Sequence, residues 1–87
     1  MAERDTLLEF PCRFPIKAIG RGDDLVGQVY TLIRAHVPDL SEDALTTRPS
    51  GKGNFMAVTV TITATSQAQL DAIYHELTVC EQVLMAL

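Results

Sequence analysis

Eighty-seven residues make one small domain, with room for a single core and none for a separate lid or cofactor-binding unit. Eleven acidic against seven basic residues give a net charge of -4, and the cations Arg4, Arg13, Lys17, Arg21, Arg34, Arg48 and Lys52 read as scattered singly along the chain, a balance that disfavours nucleic acid as partner. The chain opens without a signal-like basic and apolar pair of regions, carries no apolar run near the ~18–20 residues that cross a bilayer, and has only Cys12 and Cys80, so a cytoplasmic protein with free thiols and no membrane contact is expected.

Residues 1–11 read as a partly flexible lead-in that lays Leu8 and Phe10 onto the body of the fold. From Cys12 to Gly20, Phe14, Ile16 and Ala18 alternate with Pro15, Lys17 and Ile19, the period of a first strand with proline near its start. Gly20-Arg21-Gly22-Asp23-Asp24 breaks that strand. Gly22 can take a positive φ, and an aspartate there can cap the helix that follows. Leu25, Val29, Leu32, Ile33 and His36 recur at helical spacing, with Val26, Tyr30 and Val37 widening the stripe until Pro38 ends it. Gly27 inside this helix suggests that another backbone passes close by.

Asp39 to Asp43 is an acidic connector, and Ala44 to Pro49 a short strand at a sheet edge. Ser50-Gly51-Lys52-Gly53-Asn54 is a glycine-rich turn rather than a phosphate loop, since the early glycine is replaced by Thr46 and a strand, not a helix, follows. Phe55 to Thr65 is the clearest element of the chain. Val58, Val60 and Ile62 fall on one face of a long strand, and Thr59, Thr61 and Thr63 on the other. Ser66-x-x-Gln69 has the form of a capping box, and Leu70, Ile73, Tyr74 and Leu77 mark a second amphipathic helix. Val79 to Leu87 reads as a last strand in which Val83, Met85 and Leu87 alternate, with Met56 and Met85 as core or interface filler.

The order β-α-β-β-α-β, with right-handed crossovers, implies an α+β ferredoxin-like sandwich. Its four-stranded antiparallel sheet has order 4-1-3-2 and carries both helices on one face. Cys12 and Cys80 then sit at opposite ends of neighbouring strands, beyond the ~7 Å Cα limit for a disulfide.

Leu8-Glu9-Phe10-Pro11 with Phe14, Lys17 and Gly20, then Pro49-Ser50-x-Lys52-Gly53-Asn54-Phe55, then Glu76-Leu77, resemble the YbeD-like family of small bacterial proteins over essentially the whole chain. The resemblance implies a ferredoxin-like domain similar to the ACT-type regulatory domain of phosphoglycerate dehydrogenase, without catalytic residues or cofactor.

In ACT-type domains the junction between strand one and helix one contributes to amino-acid binding, usually at a dimer interface. Gly20, Arg21, Gly22, Asp23 and Asp24 are therefore candidates to hold a small polar ligand, although the Pro-Gly pair of that junction is replaced here. Arg21 and Asn54 invite comparison with acylphosphatase, but its glycine-rich cradle is missing and two aspartates would repel an acyl phosphate. His36 and His75 lie on different helices, with no Cys or carboxylate at zinc-like spacing. On the helix-free sheet face, Lys17, Phe55, Thr59, Thr61 and Thr63 offer β-branched surface to a protein partner, and lack the aromatics on which RNA-recognition modules stack bases. A non-enzymatic binding or regulatory module is the leading expectation, as monomer or homodimer. An acylphosphatase-like hydrolase and an RNA-binding module are the alternatives.

Overall fold

The computed structural model describes residues 9–50 and 55–87; Leu8 and the Gly51 to Asn54 turn lie outside them. In chain order the elements are β1 (Cys12–Arg21), α1 (Leu25–Arg34), a 3-10 turn (Glu42–Ala44), β2 (Leu45–Ser50), β3 (Phe55–Ala64), α2 (Gln67–Thr78) and β4 (Val83–Ala86). The strands form one antiparallel sheet in the order β2-β3-β1-β4, which is the expected 4-1-3-2 counted from the other edge.

The two central strands pair along their whole length, from Cys12 opposite Ala64 to Arg21 opposite Phe55. Alternation fixes which way each side chain points. Ile16 and Ala18 of β1, with Val58, Val60, Ile62 and Ala64 of β3, are buried against the helices. They meet Leu25, Val29 and Ile33 of α1 and Leu70, Ile73 and Leu77 of α2. Thr59 and Thr61 face away from the helices and are half-buried, and Thr63 is exposed.

The junctions differ from expectation in detail. Gly22 does adopt φ 107°, but no aspartate side chain caps α1. Asp24 is itself helical, at φ -88° and ψ -3°, and the Leu25 N–H instead donates to the Gly22 carbonyl. α1 ends at Arg34, four residues before Pro38, as the Ala35, His36 and Val37 N–H groups turn back onto Thr31 and Ile33. Nothing lies within 4 Å of a Cβ placed on Gly27, so no backbone passes there. At α2, Ser66 Oγ accepts from the Gln69 N–H at 3.1 Å, as a capping box requires. The reciprocal bond shifts by one residue, since Gln69 Oε1 accepts from the Thr65 N–H at 2.8 Å.

The last strand begins at Val83, three residues after Cys80, which sits in the preceding loop. β4 meets only the far half of β1, with a bulge between Ile19 and Gly20. Both cysteines are free, Cys12 standing at one end of β1 and Cys80 beyond the other.

Candidate functional site

The junction candidates separate in space. A Cβ on Gly20 would stand 1.9 Å from the Gln82 carbonyl oxygen, so this glycine is required by the close approach of the loop before β4. The Arg21 N–H donates to that same carbonyl at 3.2 Å, and the Leu25 N–H is also engaged. The Arg21 side chain belongs to the opposite layer, with its guanidinium 5.4 Å from the Phe55 ring centroid on the helix-free face. Asp23 and Asp24 line a shallow depression on the helical layer beside Gln28, Glu76 and Cys80. Three of its lining side chains are carboxylates, which disfavours a carboxylate ligand there.

The partner-binding candidates do come together. In the antiparallel register, Lys17 lies opposite Thr59, and Thr59 opposite Thr46 of β2, which makes one row across three strands. The next row holds Ile19, Ala57 and Arg48, and the one beyond it Arg21 and Phe55. In the other direction lie Pro15 with Thr61 and Arg13 with Thr63. All of these side chains point away from the helices.

This arrangement corrects the reading of the cations as scattered. Arg13, Lys17 and Arg21 recur every fourth residue, an even spacing that a strand turns into a single face, and cross-strand register adds Arg48. All four are exposed, and among the described residues the strands give this face no carboxylate. Among those residues the carboxylates belong to the helices, loops and lead-in: Glu9, Asp23, Asp24, Asp39, Glu42, Asp43, Asp71, Glu76 and Glu81. An acidic protein thus carries one basic surface. The signal was present in the sequence of β1, but only when charge is counted across a strand rather than along it. Arg48 could be added only once the β2–β3 register was known.

Two further features shape the surface. Ala57 is only 6% exposed although it points away from the helices, because longer side chains stand around it. It floors a depression of about 310 Å³ lined by Lys17, Thr46, Arg48 and Thr59. Along the β4 edge, Met85 opposite Ile19 and Leu87 beside Lys17 are more than half exposed, so Met85 is surface and not core filler.

Three further titratable side chains, His36, Tyr30 and Tyr74, have structural partners. His36 Nε2 lies 3.0 Å from Glu76 Oε2 and joins the end of α1 to α2. The Tyr30 hydroxyl donates to the Leu40 carbonyl at 3.1 Å, and the Tyr74 hydroxyl to the Leu87 main-chain oxygen at 2.6 Å. No helix among the described residues is long and apolar enough to cross a membrane.

Comparison with known proteins gives a family and a fold. The family described as "Protein of unknown function (DUF493)" matches residues 5–87. A UPF0250 protein of Chromobacterium violaceum is 49% identical over 86 residues, covering 98% of this chain and 97% of that one. UPF0250 proteins of Pseudomonas paraeruginosa and Neisseria meningitidis are 46% and 42% identical, over 92% and 97% of this chain and 88% and 93% of theirs. Among solved structures, the solution structure of protein HP0495 from H. pylori superposes with a TM-score of 0.67, over 92% of this chain and 85% of that one. At 13% identity this likeness shows the ferredoxin-like fold and nothing finer.

Proposed function

The chain belongs to the DUF493 family of small bacterial proteins, also called UPF0250, and we propose that it is a non-enzymatic binding module whose helix-free sheet face docks an acidic protein surface. The observation that carries this reading is the clustering of Arg13, Lys17, Arg21 and Arg48 on a face without a carboxylate among the described residues, in a chain of net charge -4. Such separation of charge steers an acidic partner onto one side and repels it from the other.

A protein fits this face better than RNA. Single-stranded RNA is held largely by stacking on aromatics. This face offers one aromatic, Phe55, already engaged by the Arg21 guanidinium. Its middle is Thr59, Thr61 and Pro15, and its rim is the exposed apolar pair Met85 and Leu87. Met and Arg, both present on this surface, are enriched at protein interfaces. The junction at Gly20 to Asp24, where an ACT-type regulatory ligand would sit, receives less support, because the Arg21 N–H and the Arg21 side chain are committed elsewhere and two aspartates stand beside it.

The test uses fluorescently labelled hexaglutamate with the full chain. Binding that weakens with added salt, and is lost in the Thr59→Glu, Thr61→Glu double variant, supports the sheet face as the working surface. Binding unchanged in that variant would move the working surface to the loops.

A further inference from the structure

We propose that the depression floored by Ala57 is an oxyanion seat that takes one side-chain carboxylate of the acidic partner. This rests on the sheet-face reading above and gives it a centre. Lys17 on β1 and Arg48 on β2 flank β3 from opposite sides and one row apart, with Thr59 beside Lys17 and Thr46 two residues before Arg48 on the same strand. Neighbouring strands are ~4.8 Å apart and two residues span ~6.6 Å, so the two cationic side chains rise from backbone positions about 12 Å apart, within reach of one anion above Ala57.

Both cations line the same depression, and no carboxylate of the described residues lies within ion-pair distance of either. Their mutual repulsion is relieved when an anion sits between them. The hydroxyls of Thr46 and Thr59 complete the donor set, and the small Ala57 supplies the space.

The seat is built for a carboxylate rather than a phosphate. Phosphate sites draw on unpaired main-chain N–H groups, usually at a helix N-terminus. Here β3 is a central strand whose main chain pairs with β1 on one side and β2 on the other. Only side chains are left to donate. A planar carboxylate matches the fork of Arg48, with a point charge from Lys17 on its other flank.

The experiment follows amide chemical shifts of the full chain during titration with hexaglutamate. Inorganic phosphate and a single-stranded oligoribonucleotide are titrated in parallel. Four variants are compared: Lys17→Gln, Arg48→Gln, Arg13→Gln and Ala57→Leu. The expected result is a set of shifts centred on Thr46, Arg48, Ala57 and Thr59. Lys17→Gln and Arg48→Gln should each weaken hexaglutamate about tenfold, the scale of one charge-assisted hydrogen bond, and Arg13→Gln less than about twofold.

Ala57→Leu leaves every charge in place and fills the floor, so the seat requires that it weaken binding as much as Arg48→Gln does. Equal losses in all three charge variants with no effect of Ala57→Leu would overturn the seat while leaving the sheet-face reading intact. Absence of any hexaglutamate binding would overturn both. Phosphate or the oligoribonucleotide binding as tightly as hexaglutamate would overturn the assignment to a carboxylate. Amide spectra of each variant establish that it is folded before its affinity is read.

Discussion

The Arg21 guanidinium lies 5.4 Å from the centroid of the Phe55 ring, and the two residues are direct cross-strand partners where the β1–β3 ladder ends. The pair closes the basic face at the Arg21 end of β1. It also masks the one aromatic side chain on that face. An exposed cation–π contact of this kind contributes ~0.5–1 kcal/mol. A double-mutant cycle of Arg21→Ala and Phe55→Ala, read by urea unfolding, should return a coupling energy in that range. A coupling indistinguishable from zero would mean that the ring is open to a ligand.

Gly27 lies inside α1, is exposed, and has open space where a Cβ would project. Replacing it with alanine removes unfolded-chain freedom and adds no clash. The expected outcome is a gain of ~0.5–1 kcal/mol in unfolding free energy. Loss of stability in Gly27→Ala would show that the helix meets a neighbour at this point.

How much of this was legible in the sequence depended on whether a feature was local. The alternation of Val58, Thr59, Val60, Thr61 and Ile62 announced β3 and both its faces, because period two needs no partner to interpret it. Ser66 announced the start of α2 for the same reason. Gly27 misled, since a helical glycine looks the same in sequence whether it accommodates a neighbour or merely weakens the helix. Asp23 and Asp24 misled because capping depends on backbone angles, and Asp24 is already helical. The basic face was half legible. Arg13, Lys17 and Arg21 declare it at even spacing, whereas Arg48 and the Ala57 depression exist only through the β2–β3 register.

Gly20 contrasts with Gly27. The Gln82 carbonyl oxygen would be 1.9 Å from its Cβ, and a main-chain group cannot swing aside as a side chain can. Gly20→Ala therefore has to push the loop before β4 away, breaking the Arg21 N–H bond to Gln82 and loosening β4. A loss of about 1–3 kcal/mol is expected, the usual cost of overpacking. Amide hydrogen exchange should accelerate first at Arg21 and along β4. Protection unchanged there would contradict the tight approach.

Adjacent residues of β3 should differ sharply. Val60 is fully buried against the helices, and Thr59 is half-buried on the other face. Val60→Thr puts a hydroxyl into an apolar core with no partner nearby and should cost about 1–3 kcal/mol. Thr59→Val keeps the β-branched shape on the helix-free face and should change stability by no more than ~0.5 kcal/mol. Thermal unfolding of the two variants measures both, and a larger loss from Thr59→Val would invert the assignment of faces.

Tyr74 links α2 to the end of β4 and should make the fold sensitive to alkali. Its hydroxyl donates to the Leu87 main-chain oxygen at 2.6 Å, and its ring stands edge-on to Phe14 with centroids 6.5 Å apart and planes at 85°. Burial raises its pKa above the ordinary 10.0, because the phenolate loses hydration in the folded chain. Below pH 10 the phenol is neutral in both states, and its contribution to stability is complete. As pH rises beyond that value the unfolded chain releases the proton first, so the folded state binds more protons and stability falls until the raised folded value is passed. Tyr74→Phe keeps the ring but loses the hydrogen bond, at a cost of at most about 1 kcal/mol at neutral pH. Its urea midpoint should then decline less steeply above pH 10 than that of the unmodified chain. Parallel declines in the two proteins would show that folding does not hold the Tyr74 phenol in its neutral form.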